Sequence, residues 1–269
     1  MPPRSLIWPD PRVKPPFGAA EVDWGHPLAR KLIGYWPLNE GAGAPINLAA
    51  VLGGRGMSTL EGAPTWQSAY RDAPVMNFTA GSLDAAKLGV NTTDFSFSGV
   101  PASIGCVWKS SAVNTFALGA RILTSTGYDF LIGSAGVAGD VTFRTDTFTG
   151  NVWSGTADGR FHHITATFSP TTCVQYGDGV LRNTNAGINI SANSQALYIA
   201  RRNTNYYTGQ VGLVYVYSRA LPAAEARWLY HEPYAMLRPI VRRRYFVAAA
   251  AASGQAPRSM HHFRMRRAG

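Results

Sequence analysis

The sequence predicts an all-β protein of the antiparallel jelly-roll or sandwich class, with a single short helix near its end. Short alternations of apolar and polar residues recur along the chain between turns rich in Gly, Pro, Asn and Asp. Charged residues make up only 15% of the chain, against 46% apolar residues, so the surface is mainly neutral and polar, which suits sheets better than solvated helices. A length of 269 residues accommodates one large β domain with flanking segments.

Residues 1–32 are expected to form an extended arm. Seven prolines lie in this stretch, and because proline fixes φ and lacks a backbone donor, the segment is unsuited to an interior strand. Its apolar side chains include Trp8, Phe17 and Trp24, which is more apolar surface than a solvated linker usually holds. We therefore expect the arm to lie along this domain or along a neighbouring subunit.

Residues 33–232 are predicted to form the sandwich. The stretch from Phe161 to Phe168 alternates, which places His162 and His163 on opposite faces, one in the core and one at the surface. Asp178-Gly179 offers the positive φ angles of a tight hairpin turn. Further strands are predicted at Ser103 to Lys109, Tyr128 to Ile132 and Tyr207 to Tyr217.

One helix is predicted at the end of the sandwich. Pro222 suits the first helical turn, residues 223–230 have good helix propensity, and Pro233 stops the helix. Three apolar side chains are expected to face the sheets: Leu221, Trp228 and Leu229.

The positive charge is concentrated in the tail, residues 233–269, which also holds a low-complexity Ala/Gly/Ser segment. After Glu232 the chain has eight arginines and no acidic residue, whereas residues 1–232 carry 17 basic and 15 acidic groups. Arginine offers a planar fork to carboxylate and phosphate alike, so the tail suits an acidic protein, nucleic acid or anionic lipid. A merely solubilising tail is the alternative.

The two cysteines, Cys106 and Cys173, lie in apolar alternating stretches and are expected to be buried free thiols rather than a bridge. A leader peptide is not expected, because the first sixteen residues hold six prolines and no apolar core. The longest apolar run, Tyr245 to Ala252, is too short to span a bilayer.

Four phrases stand in order along the chain: Trp36 to Gly43, Phe161 to Ile164, Tyr176 to Gly179 and Gly209 to Tyr230. In this order they resemble the laminin-G-like, or concanavalin A-like, jelly rolls of lectins and glucanases. The resemblance implies a concanavalin A-like fold over residues 33–232. It also implies carbohydrate binding, the activity that members of the family share most readily.

The flanking phrases His26 to Arg30 and Pro233 to Arg244 are similar to those of bacteriophage and prophage versions of this domain. This second resemblance implies a location in the virion. The chain departs from the family where acidic residues usually stand, with Phe78 to Gly81 and Gly212-Leu213 in their place. Because Ca²⁺ needs several oxygen ligands, usually with more than one carboxylate, these departures argue against the family's calcium site, which stays a doubtful alternative. No cofactor is expected.

No catalytic residue is predicted. Glycoside hydrolysis needs two carboxylates on one cleft, and the Glu-x-Asp-x-x-Glu pattern of the glucanases of this fold is missing from the chain. Adjacent strand residues point to opposite faces, so His162 and His163 are unable to chelate one metal ion. Glu40 is expected to accept hydrogen bonds from nearby backbone N–H groups.

Two groups of residues are candidates for binding. Loop-like stretches hold aromatic and polar side chains of the kind that bind glycans: Trp153, Arg201, Arg202, Asn205 and Tyr206. The favoured alternative is that Trp153 and Tyr207 fill the core and the arginines are solvated. The flanks hold candidates for anchoring a partner protein: Trp8, Phe17, Arg238, Arg242, Arg243, Arg244, Tyr245 and Phe246. Nucleic acid is a less favoured partner for the tail, since it calls for basic groups beside stacking aromatics on a platform.

These observations favour a non-enzymatic virion structural protein. On this hypothesis a lectin-like jelly roll is displayed on a phage particle, as a head decoration or fibre-like appendage. The arm and the tail anchor it to a shell or tail protein, as a homo-oligomer or within a larger assembly. A carbohydrate-binding module for a host surface glycan is the second hypothesis, and a glycoside hydrolase is a distant third. No membrane partner is expected.

Overall fold

The computed structural model describes residues 8–50, 58–88, 95, 97, 100–110, 116–121, 128–134, 141–144, 149–156, 158–186, 197–202 and 205–240. The strands are β1 Ala20–Val22, β2 Leu32–Trp36, β3 Ser58–Glu61, β4 Thr65–Tyr70, β5 Ala73–Phe78, β6 Ala85–Leu88, β7 Ala102–Ser110, β8 Phe116–Arg121, β9 Tyr128–Ser134, β10 Val141–Arg144, β11 Thr149–Trp153, β12 His162–Phe168, β13 Thr172–Gly177, β14 Val180–Ala186, β15 Leu197–Ile199, β16 Arg201–Arg202, β17 Asn205–Tyr206, β18 Gly209–Tyr217 and β19 Leu237–Pro239. Helix α1 spans Ala223–His231, and short 3-10 helices cover Pro27–Ala29 and Ala80–Ser82.

Two antiparallel sheets form the sandwich. One has the strand order β11-β10-β9-β8-β15-β6-β3, and the other has the order β14-β13-β12-β7-β18-β5-β4, with β2 also paired to β18. The long strand β18 holds the second sheet together, because its first residues pair with β5 and its last residues with β2. In the part of the chain that the structure describes, the fold is thus an antiparallel jelly-roll sandwich with one α-helix, as the sequence predicts.

Strand β18 is buried on both faces, which reveals two cores rather than one. Val211, Val214 and Val216 face the inner core between the sheets, where Trp36, Trp108 and Phe168 also pack. Its other face carries Leu213, Tyr215 and Tyr217, which belong to a second, outer core. A sheet with both faces buried must be covered by a further layer of chain.

That layer is formed by the two flanks and the helix, and we call residues 8–31, α1 and residues 233–239 the outer layer. Strand β1 of the N-terminal flank pairs with β19 of the C-terminal flank, in the register Val22 to Leu237. Ala20, Val22, Leu28 and residues 234–237 are buried in the outer core. The N-terminal arm therefore lies along this domain from residue 8 onwards, whereas the boundaries at 32/33 and 232/233 stay a prediction.

The outer layer corrects the expectation for the two histidines of β12. All seven residues of this strand are buried, and His162 and His163 are only 8% and 4% exposed, so neither lies at the surface. Alternation predicted a solvated face, but the outer layer covers it. Burial lowers the pKa of His163 to about 4. The Nε2 atom of His163 lies 2.9 Å from the hydroxyl oxygen of Tyr215.

Other local predictions are confirmed. Helix α1 begins after Pro222 and buries Leu229, while Leu221 is buried beside it and Trp228 packs against the outer core. Cys106 and Cys173 are buried free thiols. Glu40 Oε1 accepts a hydrogen bond from the Ile46 backbone N–H at 2.8 Å, as expected for that carboxylate.

Candidate functional site

A groove of about 230 Å³ opens where three strands of the second sheet meet at one end. Its lining residues come from the end of β5, the end of β7 and the start of β18: Asn77, Phe78, Thr79, Lys109, Thr208, Gly209 and Gln210. The close approach of β18 to β7 depends on Gly209, which has a φ of +151°. A Cβ at this position would overlap the Lys109 carbonyl and the Tyr207 hydroxyl, so the chain requires glycine there.

The lining of the groove is rich in amides and hydroxyls. Gln210 Nε2 donates to Gln67 Oε1 at 2.6 Å, which fixes the Gln210 amide, while Gln210 Oε1 is buried and has no hydrogen-bond partner among the described residues. Thr208 Oγ1 accepts from the Ala80 backbone N–H at 3.1 Å. A buried amide oxygen without a donor costs more free energy than a paired one, and Gln210 as a residue belongs to the lining of the groove.

Lys109 is the one charged side chain among the lining residues that the structure describes, and no carboxylate lies among them. The Lys109 ammonium lies 5.7 Å from the centre of the Phe161 ring. The groove thus offers amide donors and acceptors, hydroxyls and one cation, but no acid–base pair of carboxylates for hydrolysis.

Arg201 and Tyr206, two of the residues predicted to bind a glycan, lie in one cluster at the rim beyond Thr208. The Arg201 guanidinium forms an ion pair with Glu61, at 2.5 Å to the nearer oxygen, and lies over the Tyr198 and Tyr206 rings at 4.8 and 5.7 Å. Arg202 and Asn205 pair through their backbones in the β16–β17 hairpin, and their side chains lie outside the described part.

Trp153 lies away from that cluster. It belongs to β11, the edge strand of the first sheet, and four strand-to-strand steps separate β11 from β15, the strand before Arg201. At ~4.8 Å per step, this separation is roughly 19 Å. Trp153 packs partly against the inner core, so the five predicted residues do not form one site.

A second polar cluster surrounds Trp153 instead. The Arg182 guanidinium lies 4.3 Å from the centre of the Trp153 ring. The centres of the His162 and Trp153 rings are 4.8 Å apart, and the two rings are nearly perpendicular. His162 is held on both sides, with Nδ1 at 3.0 Å from Asp178 Oδ2 and Nε2 at 3.0 Å from Asp158 Oδ1. A neutral imidazole has one N–H and an imidazolium has two, so this arrangement favours the protonated form.

The pKa of His162 is accordingly raised, chiefly by its hydrogen bond to Asp178, with burial acting against the shift. The two aspartates contact different ring nitrogens and are therefore not arranged to bind one ion together with the ring. In the part of the chain that the structure describes, no group of three His, Cys, Asp or Glu residues could hold a metal ion.

The anchoring candidates have different surroundings. Trp8 packs against the outer core, and its indole N–H donates to the Val13 carbonyl at 3.0 Å. Arg238 Nε donates to Glu21 Oε1 at 2.9 Å across the β1–β19 pair. Phe17 is 54% exposed. Three arginines and two aromatic residues of the tail lie outside the described residues: Arg242, Arg243, Arg244, Tyr245 and Phe246. Among the helices described, none is long and apolar enough to cross a membrane.

The fold is that of a jelly-roll sandwich, and a comparison with known families agrees with it. A family model described as the concanavalin A-like lectin/glucanases superfamily matches residues 86–227, which is more than half of the chain. The chain therefore belongs to this superfamily. No curated protein sequence matches it.

Solved structures of low sequence identity share the fold. The binding domain of Paraclostridial mosquitocidal protein 1 is 12% identical with a TM-score of 0.59, over 76% of this chain and 52% of that one. Domain 4 of AbnA, a GH43 extracellular arabinanase from Geobacillus stearothermophilus, solved in complex with arabinotriose, is 12% identical with a TM-score of 0.58, over 74% of this chain and 98% of that one.

The binding domain of botulinum neurotoxin DC, solved in complex with SialylT, is 10% identical with a TM-score of 0.56, over 75% of this chain and 51% of that one. The present chain thus spans about half the length of the two toxin binding domains. At these identities the likeness concerns the fold alone.

Proposed function

We propose that this protein is a non-enzymatic glycan-binding domain and that the groove between β5, β7 and β18 binds the sugar. The observation that carries the proposal is a concave groove whose lining includes fixed amide and hydroxyl side chains, namely Asn77, Thr208 and Gln210. A few fixed polar groups in a concave site are the usual means of recognising a polar ligand. Sugar hydroxyls both donate and accept, so they match the amides of Asn77 and Gln210.

Domain 4 of the arabinanase, which was solved with a bound arabinotriose, supports this proposal by showing that the fold accommodates an oligosaccharide. Among the lining residues that the structure describes there is no carboxylate, which supports binding without hydrolysis. Incubation of the protein with any glycan that it binds should release no new reducing ends, and such release would contradict the non-enzymatic part of the proposal.

The test is a glycan-array screen of the full chain, followed by calorimetry with the best ligand. The double variant Asn77→Ala/Gln210→Ala removes two hydrogen-bonding amides and is expected to weaken binding by about 5- to 150-fold, since each bond contributes roughly 0.5–1.5 kcal/mol. Asn183→Ala is the matched control, because Asn183 lies in β14 at the far edge of the same sheet.

Trp153→Ala and Tyr206→Ala then locate the ligand. If Trp153→Ala loses binding while Asn77→Ala/Gln210→Ala binds normally, the ligand lies at the Trp153 cluster. That result would contradict the proposal that the groove binds the sugar. Loss of binding in Tyr206→Ala together with the groove variant would extend the site to the β16–β17 rim. An array without any ligand would reject the glycan-binding function itself.

A second proposal is that the domain is displayed on a phage particle and attached through its tail. It is supported by the resemblance of the flanks to phage versions of the domain and by the charge of residues 241–269, which contain seven arginines and no acidic residue. Mass spectrometry and immunogold labelling of purified particles should detect the protein. Arg242→Ala/Arg243→Ala/Arg244→Ala should reduce its incorporation, and particles lacking the protein altogether would reject this proposal.

A further inference from the structure

Lys14 of the arm is buried on the outer face of the second sheet, with only 4% of its surface exposed. Its ammonium group donates to three backbone carbonyls: Pro74 O at 2.6 Å, Gly212 O at 2.8 Å and Leu38 O at 3.1 Å. A lysine ammonium has three N–H donors, so all of them are satisfied by main-chain oxygens. We call these three carbonyls the cradle.

The cradle belongs to the sandwich and not to the arm. Its carbonyls come from the chain after β2, from β5 and from β18. The register of β18 against β7 shifts between Val211 and Leu213, so Gly212 is the extra residue of a bulge. Leu38 has a φ of +52°, a left-handed conformation that is uncommon outside glycine. Two unusual backbone positions thus turn carbonyl oxygens towards one point.

The charge of the buried ammonium is balanced from one side. Burial lowers the pKa of Lys14 to about 7, and Coulombic attraction to the largely buried Glu40 acts in the opposite direction with a smaller effect. Glu40 Oε2 is buried and has no hydrogen-bond partner among the described residues. An isolated buried charge is costly, and carbonyl oxygens with a nearby carboxylate are the groups that compensate a cation.

We propose that the cradle is a binding site for a primary ammonium group and that Lys14 is its internal ligand, which fixes the arm on the sandwich. The arm makes weaker, ordinary contacts on both sides of Lys14. Asn39 Nδ2 donates to the Pro15 carbonyl at 2.8 Å, and the Tyr234 N–H donates to the Pro11 carbonyl at 3.0 Å. Lys14 differs from these contacts because its ammonium group has three N–H donors and the cradle has three carbonyl acceptors.

Chemical rescue tests the proposal. Lys14→Ala leaves the cradle empty and removes a segment equivalent to n-propylammonium, and its Tm is expected to fall by at least about 4 °C because buried carbonyls lose their donors. Added n-propylammonium should raise the Tm of Lys14→Ala towards that of the native chain along a saturable curve. The native chain should show no such increase.

Two controls separate site binding from general effects. Tetramethylammonium carries the same charge without an N–H, and it should not rescue Lys14→Ala. Lys14→Met occupies the space of the lysine side chain but has no ammonium group. This variant should be destabilised, and n-propylammonium should not stabilise it because that space is already filled. Equal stabilisation of Lys14→Ala by both cations, or no stabilisation by either, would overturn the proposal. If Lys14→Ala unfolds completely, the yield of folded protein after refolding with each cation becomes the measurement.

A measurement on the native chain gives an independent result. The sequence contains four lysines, so acylation by acetic anhydride can be followed at each one by mass spectrometry. Lys14 is expected to react about tenfold or more slowly than the exposed Lys31, because its reaction requires release of the arm. Equal rates at Lys14 and Lys31 would show that the cradle does not hold the ammonium.

Discussion

Leu237→Ala tests whether the outer layer is part of the folding unit. Leu237 lies in β19, pairs with Val22 of β1 and is completely buried in the outer core. Truncation of a buried leucine costs about 2–5 kcal/mol, because apolar burial is lost and a cavity remains. For a chain of this size we expect a fall in Tm of roughly 4–20 °C. Leu181→Ala is the matched control, since Leu181 is 57% exposed and a surface substitution usually stays within about 0.5 kcal/mol.

Urea denaturation followed by far-ultraviolet circular dichroism and by tryptophan fluorescence gives the required comparison. We expect both probes to report one transition, with a lower midpoint for Leu237→Ala and an unchanged m-value, because the same surface is exposed on unfolding. The reasoning is refuted if Leu237→Ala has the midpoint of Leu181→Ala. It is also refuted if the flanks of the native chain unfold in a separate, earlier transition.

The remaining predictions concern groups that titrate or react. The hydrogen bond to Asp178 raises the pKa of His162, so the stabilisation by His162 is fully present below its unfolded pKa and is lost as the pH rises through its folded pKa. NMR titration should give a lower His162 pKa in Asp178→Asn, and an unchanged value would contradict this origin. Burial raises the pKa of Cys106 and that of Cys173, the latter to about 12, so both thiols should react with an aromatic disulfide reagent only on unfolding. Rapid labelling of either thiol in the native protein would disprove their burial.

The sequence predicted those parts of the fold that depend on local signals. Residues Phe161 to Phe168 were predicted as a strand and form β12 from His162, and the predicted helix at 223–230 is α1, Ala223–His231. Alternation, a turn dipeptide and a proline at each end of the helix specify these elements within a few residues. The order of the four phrases along the chain carries the resemblance to the superfamily, which the family model shows.

The pairing of β1 with β19 could not be predicted in the same way. Each strand has only three residues, β19 ends in Pro239, and the two partners are separated by more than 200 residues of sequence. Neither strand shows enough alternation to predict its register. The burial of His163 has the same origin, because the outer layer that covers it is built from residues far away in the chain.

The candidate site was predicted only in part, because a groove at the ends of strands is a product of topology. Lys109 and Gln210 carry no local sign that they share a groove, since they are brought together by the pairing of β7 with β18. Trp153 and Tyr206 both suggest sugar binding by residue type, yet Trp153 lies in β11 at an edge of the first sheet, whereas Tyr206 lies in the separate two-stranded sheet of β16 and β17. Residue type predicts the chemistry, whereas the location follows from long-range pairing.

Strands β5 and β18 connect the groove with the cradle. Pro74 of the cradle lies four residues before Phe78 of the groove, and Gly212 lies three residues after Gly209. At about 3.3 Å per residue, both separations are roughly 10–13 Å along continuous strands. Because the Lys14 ammonium binds carbonyls of both strands, it fixes their relative position close to the ends that form the groove. The N-terminal arm therefore supports the geometry of the candidate site, and ligand binding is properly measured on a chain that retains residues 8–31.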